Sequence, residues 1–169
     1  MHIHHWYRRT ILGTAAVLVG SAIHAAQPQP SVAYPEGFRT WQHVKTTAVG
    51  AAHASFPNRG GFHHFYANAL ALEGYRTGTF PNGSVIVDEN VLARDGEGRQ
   101  QGILLEGDRR GIDVMVKDDR VFKDTGGWGF EQFKGTGTAG TLSSAGRTKC
   151  FECHGKMTGR DSVFSTLRQ

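Results

Sequence analysis

Ile112, Val114 and Val116 alternate with Asp113, Met115 and Lys117, a period of two that predicts a strand. Other segments follow the same logic. Phe62 to Tyr66 is short and aromatic, Ser84 to Arg94 is rich in β-branched residues, and Trp128 to Lys134 carries Trp128, Phe130 and Phe133 between glycines; each reads as a strand. Phe80-Pro81-Asn82-Gly83 is a turn signal, and Asp95-Gly96-Glu97-Gly98 breaks the chain after the second of these strands. Ala67 to Tyr75 is read as a short helix. Pro35-Glu36 is read as opening another, because Phe38, Trp41 and Val44 recur every three residues. Residues 50–61, rich in Ala, Gly, Asn and Pro, are read as a loop. Four or five strands joined by turns predict a mainly β (α+β) fold: an antiparallel sheet with a few flanking helices, one near each end.

The N-terminal pattern is of another kind. Arg8 and Arg9 precede an apolar stretch from Ile11 to Ile23, and Ala25 and Ala26 supply small residues for cleavage. Residues 1–26 therefore read as a cleavable export signal, and residues 27–35, with three prolines, as a linker. The expected location of the mature protein is the periplasm. The formal charge of +4 falls to +2 once Arg8 and Arg9 are removed, and the body of the chain has no Lys or Arg run, so nucleic-acid binding has no electrostatic support. High glycine content, 23 residues, favours turns and short strands over long helices.

Cys150-Phe151-Glu152-Cys153-His154 contains the only two cysteines. Cys-x-x-Cys-His is the attachment signature of haem c. One helical turn sets two thiols beside the two vinyl groups of the macrocycle, and the next histidine is held as an axial ligand of the iron. A redox disulfide and half a zinc site are the competing readings. No second cysteine pair completes a zinc site, and no βαβ unit surrounds the motif. The prediction is one covalent haem c on Cys150 and Cys153, with His154 on the iron, carried by the C-terminal helix. Met157 lies too close to His154 to reach the opposite face of the macrocycle, while Met115 is a candidate there or a core side chain. A four-helix cytochrome would need long amphipathic helices that this chain lacks.

With that motif, several ordered segments resemble the cytochrome P460 family, which includes the β-sheet cytochromes c′. They are His63-His64-Phe65-Tyr66-Ala67-Asn68, Gly74 to Gly83, Asp113-Val114-Met115-Val116-Lys117-Asp118, Thr125 to Phe130, and Asp161-Ser162-Val163-Phe164. The resemblance runs from about Phe38 to Leu167, within a haem c domain expected over residues 36–169. It implies a homodimer with a five-coordinate haem and an open distal side. It also implies one of two activities: oxidation of hydroxylamine by members whose haem is cross-linked to a lysine, or binding of gases such as nitric oxide by members without the cross-link. The position matching that lysine is Asp88 here, and no lysine occurs between Lys45 and Lys117. A carboxylate of the enzymes matches Asp113, a candidate proton acceptor. Phe62, with His63 or His64, is a candidate for the distal side along with Asp88 and Met115. The sequence leaves the parity of that strand open.

Three functions follow in order of expectation: a gas-binding haem protein, a hydroxylamine oxidoreductase using Asp113, and an electron-transfer cytochrome with Met115 or a histidine as sixth ligand. Partners would be a small gaseous or nitrogen-oxide ligand and a redox protein.

Overall fold

A computed structural model of the chain describes residues 30–168. The segment expected to be an export signal and the start of the expected linker lie outside the described residues. Five antiparallel strands form one sheet in the order β1-β2-β3-β4-β5: β1 Gln42–Val49, β2 Gly61–Ala67, β3 Val85–Asp95, β4 Leu104–Lys117 and β5 Trp128–Lys134. Helix α1 (Phe56–Arg59) joins β1 to β2, α2 (Ala69–Thr77) joins β2 to β3, and α3 (Ser144–His154) follows β5. Each strand is next to its sequence neighbour, so every connection stays local: α1 and α2 lie in the first two, and residues 96–103 and 118–127 make the last two. The fold is mainly β with flanking helices.

The helix expected after Pro35 is absent. Phe38–Thr40 makes a single 3₁₀ turn, and the chain then enters β1. The spacing of Phe38 and Val44 does not mark a shared face. Phe38 packs with Val32, Val87, Ile112, Val114, Phe122 and Phe133 on one side of the sheet, whereas Val44 packs with Ala67, Ile86, Met115, Trp128 and Phe130 on the other. Val44, Thr46, Thr47 and Val49 are β-branched, and pairing with β2 satisfies a backbone that a short helix would leave exposed.

Helix α2 begins where Asn68 accepts a hydrogen bond on its side-chain oxygen from the Ala71 N–H at 2.9 Å. It ends at Gly78 in the left-handed region, φ 85°. The ring of Phe80 folds back onto Gly74, where a Cβ would come within 2.2 Å of it; only glycine admits that contact.

Because both faces of the sheet are covered, alternation in β4 does not separate inside from outside. Val114 (1% exposed), Met115 (8%) and Lys117 (7%) are all buried. Strand β4 also starts earlier than the alternating run. Its first residues pair with the end of β3, from Val91↔Arg109 to Asp95↔Leu104, as a solvent-facing hairpin arm whose polar residues hide the pattern.

Candidate functional site

Helix α3 starts at Ser143, whose hydroxyl accepts from the Gly146 N–H at 3.1 Å. Its docking combines packing of Cys150 and Phe151 against the apolar cluster of Trp128 and Phe130 with a buried ion pair. The buried Glu131 pairs with Arg147 of α3 and accepts the Leu142 N–H at 2.8 Å. Burial pushes the Glu131 carboxyl up, but Arg147 and the Leu142 and Gln132 amides outweigh it, so the carboxyl sits below the ordinary glutamate range. No residue of α3 is fully buried. The face carrying Cys150, Cys153 and His154 looks instead into a cavity of about 590 Å³ between α3, the C-terminal segment and the sheet. Positions three and four apart share one helix face, which is why the motif presents all three side chains to one space.

The sheet supplies the opposite wall by strand parity. His63 and Phe65 of β2, Ile86 and Asp88 of β3, Asp113 and Met115 of β4, and Phe130 and Gln132 of β5 line it. The register sets them in rows: Phe65↔Asp88↔Asp113↔Gln132, and Ile86↔Met115↔Phe130. Phe62 does not line the cavity. It points to the other face and stacks on His64, ring centroids 6.2 Å apart. The expectation for Phe62 is corrected in favour of Phe65, and His64 likewise faces away, toward Thr46 (2.8 Å) and Glu106 (3.0 Å). One residue of offset in a strand exchanges the two faces.

The row has a charged end. Arg59, the last residue of α1, donates to Asp113 at 2.7 Å and to Asp88 at 2.9 Å. Asp113 also accepts from Gln132 (2.8 Å) and Asn90 (3.2 Å). His63 donates through Nδ1 to Asp88 at 3.0 Å and through Nε2 to the Arg59 carbonyl at 2.8 Å. Both ring nitrogens face oxygen acceptors, so the geometry suits the imidazolium. Burial pulls His63 down, but its hydrogen bond and ion pair with Asp88 and the Arg59 carbonyl hold it above the ordinary histidine value. Burial pushes the Asp88 carboxyl up, against the pull of His63 and Arg59, and leaves it above the usual carboxylate range. Arg59 stands in a stretch read as a loop, and no sequence signal singles it out; it becomes visible only when β2–β4 register Asp88 beside Asp113.

His154 lies between Phe130 and Phe164, with ring centroids 5.2 Å and 4.9 Å away. Its Nδ1 donates to the Ser162 carbonyl at 2.9 Å. A protonated Nδ1 fixes the tautomer in which Nε2 offers a lone pair to a metal. Burial pulls the imidazole below its ordinary value, with the Ser162 carbonyl acting against it. Cys150 and Cys153 are unpaired thiols, and burial, aided by Asp113, pushes the Cys150 thiol up. Among the described residues no group of three or more His, Cys, Asp or Glu could hold a bare metal ion, so the zinc reading finds no further ligands.

The model of one family, Cytochrome P460, matches residues 35–165. The chain belongs to the cytochrome P460 family. It is therefore a c-type haem protein. No curated protein matches it. The cavity fits the family's group: it falls within the roughly 300–1,000 Å³ of cofactor sites, its interior is mostly apolar, and both thiols and a tautomerically fixed imidazole open onto it. In this cytochrome P460 member, Cys150 and Cys153 would hold the macrocycle and His154 would ligate the iron. Asp88, the residue expected where the resemblance places the cross-linking lysine, is committed to Arg59 and His63.

Proposed function

We propose that this protein is an exported, periplasmic cytochrome with a single covalent haem c whose distal side binds a small neutral ligand such as nitric oxide. The observation that carries this reading is how the cavity's sheet-side histidine is spent. His63 commits Nδ1 to Asp88 and Nε2 to the Arg59 carbonyl, so neither of its nitrogens is free to close the iron's remaining position. Met115 packs with Ile86, Trp128 and Phe130 in the core, which favours a packing role over ligation. A ferrous haem so held supplies an open coordination position for diatomic ligands. The cavity is not wholly apolar, contrary to the simplest picture of a gas pocket. Arg59 retains N–H groups beyond those given to Asp88 and Asp113 and can donate one to a bound ligand. Export rests on the pattern of residues 1–26, and a homodimer and a redox partner remain part of the proposal.

One observation favours a second reading, oxidation of hydroxylamine. Asp113 lines the cavity with its carboxylate oriented by Arg59, Asn90 and Gln132, as a proton acceptor would need. Asp88 in place of the cross-linking lysine weighs against it.

Absorption spectra of the purified ferric and ferrous protein test the reading. The expected ferrous form is high-spin and takes up carbon monoxide and nitric oxide stoichiometrically. A low-spin spectrum in both oxidation states, with no uptake, overturns it in favour of electron transfer. Turnover of hydroxylamine with an artificial acceptor, above that of free haem, would establish the second.

A further inference from the structure

The end of β4, on the same face of the sheet as Asp113 and Met115, meets the segment that follows His154. Lys117 ends β4, and its ammonium group is nearly buried, with the side chain 9% exposed. It donates to Asp161 at 2.9 Å and to the Gly126 carbonyl at 2.9 Å, stands 3.5 Å from Asp119, and lies 5.3 Å above the ring of Trp128. Asp161 is held from other sides as well. Its second oxygen accepts the Phe80 N–H at 3.0 Å, and its carbonyl accepts the Trp128 indole N–H at 2.9 Å. The next residue, Ser162, gives its carbonyl to His154 Nδ1.

The backbone there is in a conformation that L-residues avoid. Asp161 has φ 44° and Ser162 φ 66°, successive left-handed positions without a glycine. Such a conformation persists only when its surroundings hold it. The anchors on Asp161 do so, and the result is a carbonyl aimed at the imidazole.

We propose that Lys117 and Asp161 are positioning residues for the haem iron, acting through the Ser162 carbonyl on His154. The inference rests on the reading of His154 as axial ligand. A carbonyl accepting from the non-ligating nitrogen raises the donor strength of a metal-bound imidazole. A stronger donor favours the oxidised iron. Releasing Asp161 lets the left-handed pair relax, weakens that hydrogen bond and raises the reduction potential.

At Lys117 the sign of the effect separates positioning from simple electrostatics; at Asp161 both raise the potential, and the iron–histidine stretching frequency decides. Removing the Lys117 charge would, through space alone, favour the oxidised iron and lower the potential. Loss of positioning raises it. The test is redox titration of the haem-loaded protein and its Lys117→Met and Asp161→Asn variants, with resonance Raman spectra of the ferrous forms. Both variants are expected to shift the oxidised-to-reduced equilibrium at least threefold toward reduction, about 30 mV upward at about 59 mV per tenfold, and to lower the iron–histidine stretching frequency. Lys117→Arg, which keeps the cation, should return toward the natural values. If Lys117→Met fails to mature, the Lys117→Met/Asp161→Asn double variant carries the test, since it removes both charges of the buried pair, leaves only the solvent-exposed Asp119 without its cation and changes the field least; an upward shift supports positioning. A downward or absent shift in the measured Lys117 variant, with the iron–histidine band unmoved, overturns the proposal. A natural protein that proves six-coordinate would sink the open-site function while leaving the potentials to judge this inference.

Discussion

Glu131→Ala is expected to cost about 3–5 kcal/mol of folding stability, the range for breaking one side of a buried ion pair. Glu131 is 2% exposed, and its carboxylate is the polar anchor that fastens α3 to the sheet. One oxygen takes the Leu142 and Gln132 amides, and the other takes Arg147. Truncation strands a guanidinium whose side chain is only 15% exposed and leaves the Leu142 amide without its acceptor. The helix so released is the one that carries Cys150, Cys153 and His154, so the defect should appear in denaturant unfolding and in a lower yield of haem-loaded protein. Glu131→Gln, which keeps an acceptor for the amides, should cost less. The pH dependence has a definite sign. The carboxyl sits below its ordinary value of 4.5 in the folded chain, so its contribution is complete above that value and is lost as pH falls through the folded-state value. Equal denaturation midpoints for the natural chain and Glu131→Ala at neutral pH would refute the role.

Arg59→Leu should act on both stability and ligand binding. Asp88 and Asp113 face each other across β3 and β4 as register partners, and Arg59 is the cation that both share. Without it, two carboxylates confront each other with His63 alone as counter-charge. The Arg59 side chain is 42% exposed, so the expected stability loss is discounted for solvent, to about 2 kcal/mol. The larger consequence is for a ligand in the cavity. A charge-assisted hydrogen bond of about 1.5–3 kcal/mol corresponds to roughly tenfold or more in affinity. The variant should therefore release nitric oxide at least tenfold faster in stopped-flow displacement. Arg59→Lys should restore part of the stability and less of the ligand retention, because a point charge cannot span both carboxylates as a planar fork does. An unchanged off-rate would remove Arg59 from the ligand's surroundings.

The sequence makes the sheet and the haem motif legible for different reasons. Trp128–Lys134 declares itself by aromatic content and bounding glycines, and the observed strand has the same limits. The helix bearing Cys150 to His154 is legible because the motif only works on one helical turn. The segment after Pro35 misleads because Phe38 and Val44 are both buried, but on opposite sides of the sheet; a spacing of three can arise from a chain that crosses from one layer to another. Asp88 and Asp113 are individually visible as polar residues in apolar strands. Their pairing through Arg59 is not, because it depends on strand register and on a residue 29 positions before Asp88. The parity that selects Phe65 over Phe62 has the same origin. The hydrogen bond from His154 to Ser162 depends on backbone torsions that composition does not announce.

The central claim is that Cys150 and Cys153 carry a haem whose iron is bound by His154. The most direct measurement is the mass of the mature protein under denaturing conditions, taken together with its colour. The expected product is a red protein whose denatured chain is heavier than the polypeptide by one haem, reduced to the bare polypeptide mass by replacing both cysteines with alanine. A colourless mature chain at the mass of the polypeptide alone would contradict it.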